Sequence, residues 1–220
     1  MRWLLSQYAI RKKYSDVFPD DGKTRTTKFV SVDLNLTDKQ RLVMNSKGVL
    51  EDDGKVNGYL ATILRIVAEQ KAPFVTDYAE AWLEEHEGKK LVIASLHIKA
   101  TAIIIKELER FGVVHIKGTP KQKSKAENAF REDPEISVCV INLESGGTGL
   151  NLVSASDFIF SEVPWTSAAY EQAAARIDRM GQESDDINYT VFIAADTPEG
   201  AKFGTVKKKS ALNDRYLGEK

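Results

Sequence analysis

The stretch Asn142–Gln182, NLESGGTGLNLVSASDFIFSEVPWTSAAYEQAAARIDRMGQ, decides how the rest of the 220-residue chain is read. It opens at the end of an apolar run, Val138 to Leu143 (VCVINL), whose length and unbroken hydrophobicity predict a strand buried within a parallel sheet. A glycine-rich turn, GGTGLNL, follows at once. Gly146, Gly147 and Gly149 lack the β-carbon that would block a close approach, so amides there suit a phosphate, or simply a tight turn. Farther on, Ala168 to Met180 (AAYEQAAARIDRM) is rich in helix formers and stops at Gly181. A helix over that span puts Arg176 and Arg179 on one face, with Gln172 one turn earlier on the same side. Neither arginine has an acidic residue four positions before it. Two guanidinium groups so placed suit bidentate contact with an anionic oxygen, or form a solvated face in which Asp178 pairs locally.

Together the two halves resemble motifs five and six of superfamily-two helicase-like ATPases, specifically the Swi/Snf-related branch of DNA translocases. The family's glycine-rich GxGxNL loop is matched by Gly147 to Leu152, its Trp after a second strand by Trp165, and its QAxxRxxRxGQ by Gln172 to Gln182. Arg176 follows Gly149 by 27 positions, without insertion or deletion against the family pattern. A spaced pair of motifs in a strand, loop, strand, helix context is far more specific than either half.

Composition sets the outer bounds. At 42% hydrophobic and 29% charged, the chain has the make-up of a globular protein with one sizeable core and appendages. A formal charge of −1 gives no global push towards nucleic acid, so any contact with it must come from local patches. The one cysteine, Cys139, lies inside an apolar strand and excludes a disulfide framework. Three histidines, His86, His97 and His115, offer no metal-ligand spacing with it. No apolar run reaches the roughly 20 residues needed to cross a bilayer, and Met1 to Ile10 lacks the length of a signal peptide. The expectation is an intracellular protein, in cytoplasm or nucleoid, or in the nucleus of a eukaryote.

Along the chain, YAIRKKYSDVFP (Tyr8 to Pro19) and the turn PDDG look like the family's exit from a first ATPase lobe, so residues 1–27 are expected to be the trailing end of that lobe and a linker. Lys28 to Leu36 (KFVSVDLNL) alternates Val30, Val32, Leu34 and Leu36 with polar residues, as a half-buried strand does; Thr37 then caps a short helix. Gly48 to Gly58 reads as a loop. It contains a near miss for a phosphate-binding P-loop at Gly54-Lys55, rejected because no strand precedes it and Val56 replaces the needed hydroxyl. Two helices are predicted, Val56 to Gln70 and Phe74 to Glu87, parted by Pro73; with the strand before them they make residues 28–90 a lead-in. Strands and helices then alternate: strands at 91–95, 113–116, 138–143, 158–161 and 189–193, helices at 100–111 and 121–131. Such alternation predicts an α/β domain over 91–196, a parallel sheet with helices on both faces and sites at the carboxyl ends of its strands. The resemblance makes this RecA-like and makes 197–220, with Lys207 to Lys209, a brace closing the lobes.

At the strand ends, Ser95-Leu96-His97 resembles motif four. Lys117-Gly118-Thr119-Pro120 opens a helix carrying Lys121, Lys123 and Lys125, which presents free amides and positive charge to a phosphate backbone, or is a cap with solvated lysines. Ser145 and Thr148 add hydroxyls at the third strand end; Trp165 lies against nucleic acid or packs under the arginine helix.

What the resemblance implies is half of a motor. No GxxxxGK followed by Ser or Thr is present, nor an Asp-Glu pair ending an apolar strand to hold Mg2+. In the family ATP and Mg2+ sit mainly on the first lobe, and the second supplies arginine fingers. Arg176 and Arg179 would be those fingers, Gln172, Gly147, Gly149 and Asn151 would border ATP, and Ser95, His97, Lys117, Thr119, Ser145, Thr148 and Trp165 would grip double-stranded DNA. The implied partners are that DNA and an N-terminal lobe, without which this chain is expected to hydrolyse nothing. Departures from the pattern are Ala175, usually acidic, Asp178, usually His, and Thr166-Ser167 in place of Asn-Pro. Two other readings stand beside this one. A strand-separating helicase is disfavoured by the Trp and the closing Gly-Gln; a stand-alone nucleic-acid-binding or regulatory module would have kept the lobe without its partner.

Overall fold

The computed structural model describes residues 21–34, 37, 58–143, 149–164, 166–194 and 197–199. Its elements, in order, are β1 (Thr24–Val32), α1 (Gly58–Glu85), β2 (Leu91–Ser95), α2 (Ile98–Glu107), a 3-10 turn (Glu109–Phe111), β3 (Val113–Ile116), α3 (Pro120–Glu132), β4 (Val138–Asn142), β5 (Asp157–Phe160), α4 (Ser167–Ala174) and β6 (Asp186–Ala194). The six strands form one sheet in the order β1-β6-β5-β2-β4-β3, and every neighbouring pair is parallel. This is the predicted α/β, RecA-like architecture. The predicted short helix from Thr37, the loop at 48–57, and the segments 1–20 and 200–220 lie outside the described residues.

Each central strand is buried on both faces, which is why its sequence is an unbroken apolar run. On β2, Leu91 and Ile93 face one core together with Val138 and Val140 of β4, covered by α1 and α2. Val92 and Ala94 face the other with Cys139 and Ile141, covered by α3, α4 and the loop before β5. Fully burying one such aliphatic side chain contributes about 1.5–3 kcal/mol, so the two cores together set the sheet. Ring stacking docks α4: Tyr170 lies on Phe160 with centroids 4.6 Å apart.

Two boundaries differ from expectation. The two helices expected on either side of Pro73 are one 28-residue helix, α1, with the proline inside it. An interior proline costs ~3 kcal/mol through its missing N–H and its clash with the preceding turn. Against that, the buried stripe Ile63, Val67, Ala68, Ala72, Val75, Ala79 and Leu83 runs straight through, so stopping at Pro73 would expose half of a core face. Pro73 itself faces solvent, and the Thr76 hydroxyl donates to its carbonyl at 2.8 Å. The lead-in strand, expected at 28–36, is β1 at Thr24–Val32, hydrogen-bonded along its length to β6. Its polar start, Thr24 to Thr27, carries no apolar alternation because that part of the edge strand is exposed.

Candidate functional site

The predicted site residues fall into two groups. Ser95, His97, Lys117 and Thr119 lie at or just past the carboxyl ends of β2 and β3; Gly149 and Asn151 belong to the loop before β5, Gln172 to α4, and Arg176 and Arg179 to the segment between α4 and β6. Ser145, Gly147, Thr148 and Trp165 lie outside the described residues.

At the carboxyl edge the organising group is Glu162, two residues past β5. One carboxylate oxygen accepts from the Ser95 hydroxyl at 3.0 Å and from the amides of Leu96 at 2.8 Å and His97 at 3.2 Å; the other pairs with His97 Nδ1. Burial pushes the carboxyl up, but the His97 hydrogen bond and charge and the two amides outweigh it and leave Glu162 below its ordinary value. Ser95 is fully buried, and Thr101 also donates to its hydroxyl at 3.0 Å, so Ser95 spends its hydrogen bonds inside the protein rather than on a bound polymer. His97 keeps 27% of its side chain exposed. Sequence reasoning missed Glu162, although an acid directly after an apolar strand was a signal.

The Gly-Thr-Pro turn opens α3 as a capping box. Thr119 Oγ1 accepts from the Gln122 amide, and Gln122 Oε1 accepts from the Thr119 amide at 2.8 Å. The Thr119 amide is therefore not free for a phosphate, contrary to expectation. Gly118 has a φ of 86°, and a β-carbon there would lie 2.3 Å from Gln122 Oε1, so the box and the glycine require each other. The positive charge remains: Lys117, Lys121 and Lys125 are exposed around the turn.

The arginines do not share a helix face. α4 stops at Ala174, and Arg176 to Gly181 is a chain of turns, with Gly181 at a φ of 94°. The cause is competition for carbonyls that a longer helix would need. Ala174 O accepts from the Tyr189 hydroxyl at 3.3 Å, Ala175 O from Arg179 Nε at 2.8 Å, Arg176 O from the Leu152 amide at 2.9 Å, and Ile177 O from Gln182 Nε2 at 2.8 Å. Thr166, where the family has Asn, is the N-cap of α4 and accepts from the Ala169 amide at 3.1 Å. Gln172 is exposed on that helix.

The turn still leaves the two arginines near enough for the charge of one to act on the other. Arg176 is 6% exposed; burial first, and then the nearby Arg179 charge, pull its pKa below the ordinary arginine value, with Glu127 of α3 opposing. Glu127 also accepts from the Asn151 amide at 3.1 Å, which ties α3 to the loop before β5. Among the described residues nothing lies within 4 Å of where a β-carbon on Gly149 would stand. Asp178 does not pair with the arginines: Arg25 of β1 takes its carboxylate with Nε–Oδ2 at 2.7 Å and a second bond at 3.0 Å. Neither Arg25 nor Glu127 was visible to sequence reasoning, since both act across elements remote in the chain. Among the described residues no group of three or more His, Cys, Asp or Glu side chains could hold a metal ion, and no helix is long and apolar enough to cross a membrane.

Comparison with known proteins agrees with this geometry. The helicase conserved C-terminal domain family matches residues 72–181. The DNA repair protein rad8 of Schizosaccharomyces pombe is 37% identical over 130 residues, 57% of this chain and 11% of that protein. The DNA repair and recombination protein RDH54 of Saccharomyces cerevisiae is 29% identical over 135 residues, 60% of this chain and 14% of that protein. The chain thus spans only a small part of these relatives. The solved SWI2/SNF2 ATPase C-terminal domain of Sulfolobus solfataricus superposes with a TM-score of 0.58 at 18% identity, covering 89% of this chain and 91% of that one, which shows a common fold. This chain belongs to the helicase conserved C-terminal domain family.

Proposed function

We propose that this lobe serves an ATP-dependent motor that moves along double-stranded DNA, supplying Arg176 and Arg179 to the phosphates of ATP and its carboxyl edge to the DNA backbone. The observation that carries the reading is the coupling of loop and turn. The Leu152 amide holds the Arg176 carbonyl, and Arg176 is kept beside Arg179 at a cost that both burial and like charge impose. An anionic phosphate relieves that cost. Among the described residues nothing crowds Gly149, and Asn151 and Gln172 are both exposed.

ATP supplies the transferring phosphoryl group; these residues stabilise charge on it, as arginine fingers do. Magnesium is assigned to a first lobe, as the resemblance implies. On this reading the 220-residue chain alone hydrolyses no ATP. Lys117, Lys121 and Lys125 meet DNA phosphates, joined by His97 and Thr119 and by Ser145, Thr148 and Trp165, while Ser95 orients the edge from inside through Glu162. The names of the relatives favour repair of DNA, and so a place of work in nucleus or nucleoid.

The test is Arg179→Ala in the two-lobe protein that carries this chain. DNA-stimulated ATP hydrolysis is expected to fall by roughly 10³-fold, the range of an arginine finger, with DNA affinity changed by less than about threefold. Undiminished turnover overturns the assignment.

A further inference from the structure

The His97 ring at the carboxyl edge is held from one side. Its Nδ1 pairs with Oε2 of Glu162, whose side chain is 5% exposed. Its Nε2, on the far side of the ring, has no partner among the described residues, and 27% of the His97 side chain stays open to water. The two residues are 65 positions apart, so the fold alone makes this pair.

Where the proton lies follows from the carboxylate. The Ser95 hydroxyl and the amides of Leu96 and His97 converge on Oε1, an arrangement that favours the anion. Burial alone would raise this carboxyl, but the His97 bond and the amides keep it below its ordinary value and so ionised at neutral pH. An ionised carboxylate only accepts, so Nδ1 donates and keeps its proton whether the ring is neutral or charged. Nε2 is therefore the nitrogen that titrates, with a lone pair on the neutral ring and an N–H on the imidazolium. A phosphate oxygen is repelled by the first and bound by the second. Among the described residues Glu162 is the one charged group bonded to the ring. Behind it lies the Lys71 ammonium of α1, which feels the Glu162 charge but is itself bonded to Glu199. From β2 and β4 come uncharged Ser95 and Asn142, and α2 adds uncharged Thr101 and the exposed Lys99.

We propose that Glu162 is a positioning residue for the DNA contact of His97: by fixing a proton on Nδ1 it leaves Nε2 to meet a backbone phosphate, and makes that contact conditional on the charged ring. This rests on the reading of the carboxyl edge as a DNA-binding edge. The contact is complete at low pH and is lost as the pH rises and Nε2 gives up its proton. It also gives a use to a carboxylate buried at a strand end, which is costly to desolvate.

Two readouts separate the placement of the proton from the contact with DNA. In the full 220-residue chain with nitrogen-15-labelled histidine, His97→Gln identifies the His97 signals. The neutral parent ring is expected to carry its proton on Nδ1; in Glu162→Gln, whose amide donates to Nδ1, the proton moves to Nε2. In the two-lobe protein, affinity for a duplex of arbitrary sequence is measured from about pH 5.5 to about pH 8, the range in which histidines titrate. Over that range the parent is expected to lose roughly threefold more affinity than His97→Gln. Glu162→Gln, with an N–H on Nε2 throughout, follows a flat profile, binding more weakly than the parent at the acid end and at least as tightly at the alkaline end. A variant that merely loosened the edge would weaken binding at both ends alike. A parent ring protonated on Nε2, or a Glu162→Gln profile as steep as the parent's, overturns the proposal while the DNA reading stands. A parent profile no steeper than that of His97→Gln takes His97 out of the contact and overturns it as well. A parent that binds no duplex at any pH overturns the DNA reading too. Should Glu162→Gln fold incompletely, the parent ring and the comparison with His97→Gln still decide.

Discussion

Lys71, in the middle of α1, and Glu199, 128 positions later, form an ion pair with almost no access to water. The ammonium lies 2.7 and 2.6 Å from the two carboxylate oxygens and 3.0 Å from the Phe192 carbonyl, and the side chains are 1% and 4% exposed. The same carboxylate accepts from the amides of Val163 at 3.1 Å and Ala194 at 2.9 Å. One glutamate thus ties α1 to the chain leaving β5 and to the last residue of β6. Burial pulls the Lys71 ammonium down, and Glu199 and then Glu162 pull it back.

Lys71→Met leaves a buried carboxylate without its cation and is expected to cost about 3–5 kcal/mol, whereas Lys71→Met with Glu199→Gln recovers part of the loss. At about 2–4 °C per kcal/mol for a domain of this size, the single variant melts roughly 10 °C lower. Calorimetry checks it; a shift under about 3 °C would show that water reaches the pair.

Glu162 predicts an acid limit. Its folded value lies below the ordinary 4.5, so its contribution to stability is complete above pH 4.5 and drains away as the pH falls through the lower folded value. The melting temperature should therefore drop on acidification below pH 4.5, and Glu162→Gln, less stable at pH 7 by about 2 kcal/mol for its badly met amides, should show a shallower drop. Parallel acid profiles for the two proteins would refute this.

Gln182 is buried, and its side chain bonds Ala155 O and Ile177 O at 2.8 Å each and the Ser184 amide at 2.9 Å. Gln182→Leu strands these groups at about 1 kcal/mol or more apiece, so roughly 2–3 kcal/mol in all. Amide exchange in residues 176–181 should speed up more than in β2, which has no bond to Gln182; uniform acceleration would mean global rather than local loosening.

Around the α3 cap, Lys117, Lys121 and Lys125 are exposed. If each meets one DNA phosphate, Lys121→Ala lowers the slope of log affinity against log salt by about one unit, whatever the DNA sequence. Salt titration of duplex binding by the two-lobe protein measures it directly. An unchanged slope assigns the lysine to solvent.

The sheet was legible because burial on both faces leaves unbroken apolar runs: VCVIN and LVIAS fall where the sequence puts them. The long helix was misjudged because the energy of one proline is local while the stripe from Ile63 to Leu83 is settled by the sheet it covers. The arginines were singled out from spacing on a helix expected to reach Met180, and that helix ends at Ala174. Tyr189 and Leu152 claim carbonyls of the turn from outside the local sequence. Arg25 and Glu127 escaped notice for the same reason, being neighbours in space only.

Those four claimed carbonyls make the arginine motif non-portable. Residues 172–182 transplanted into another scaffold would follow their own propensity and coil onward as a regular helix, both arginines pointing wherever its pitch took them. Anyone redesigning such a lobe must carry along Leu152 and Tyr189, because two of the four bonds that shape the turn come from outside the eleven letters that identify it.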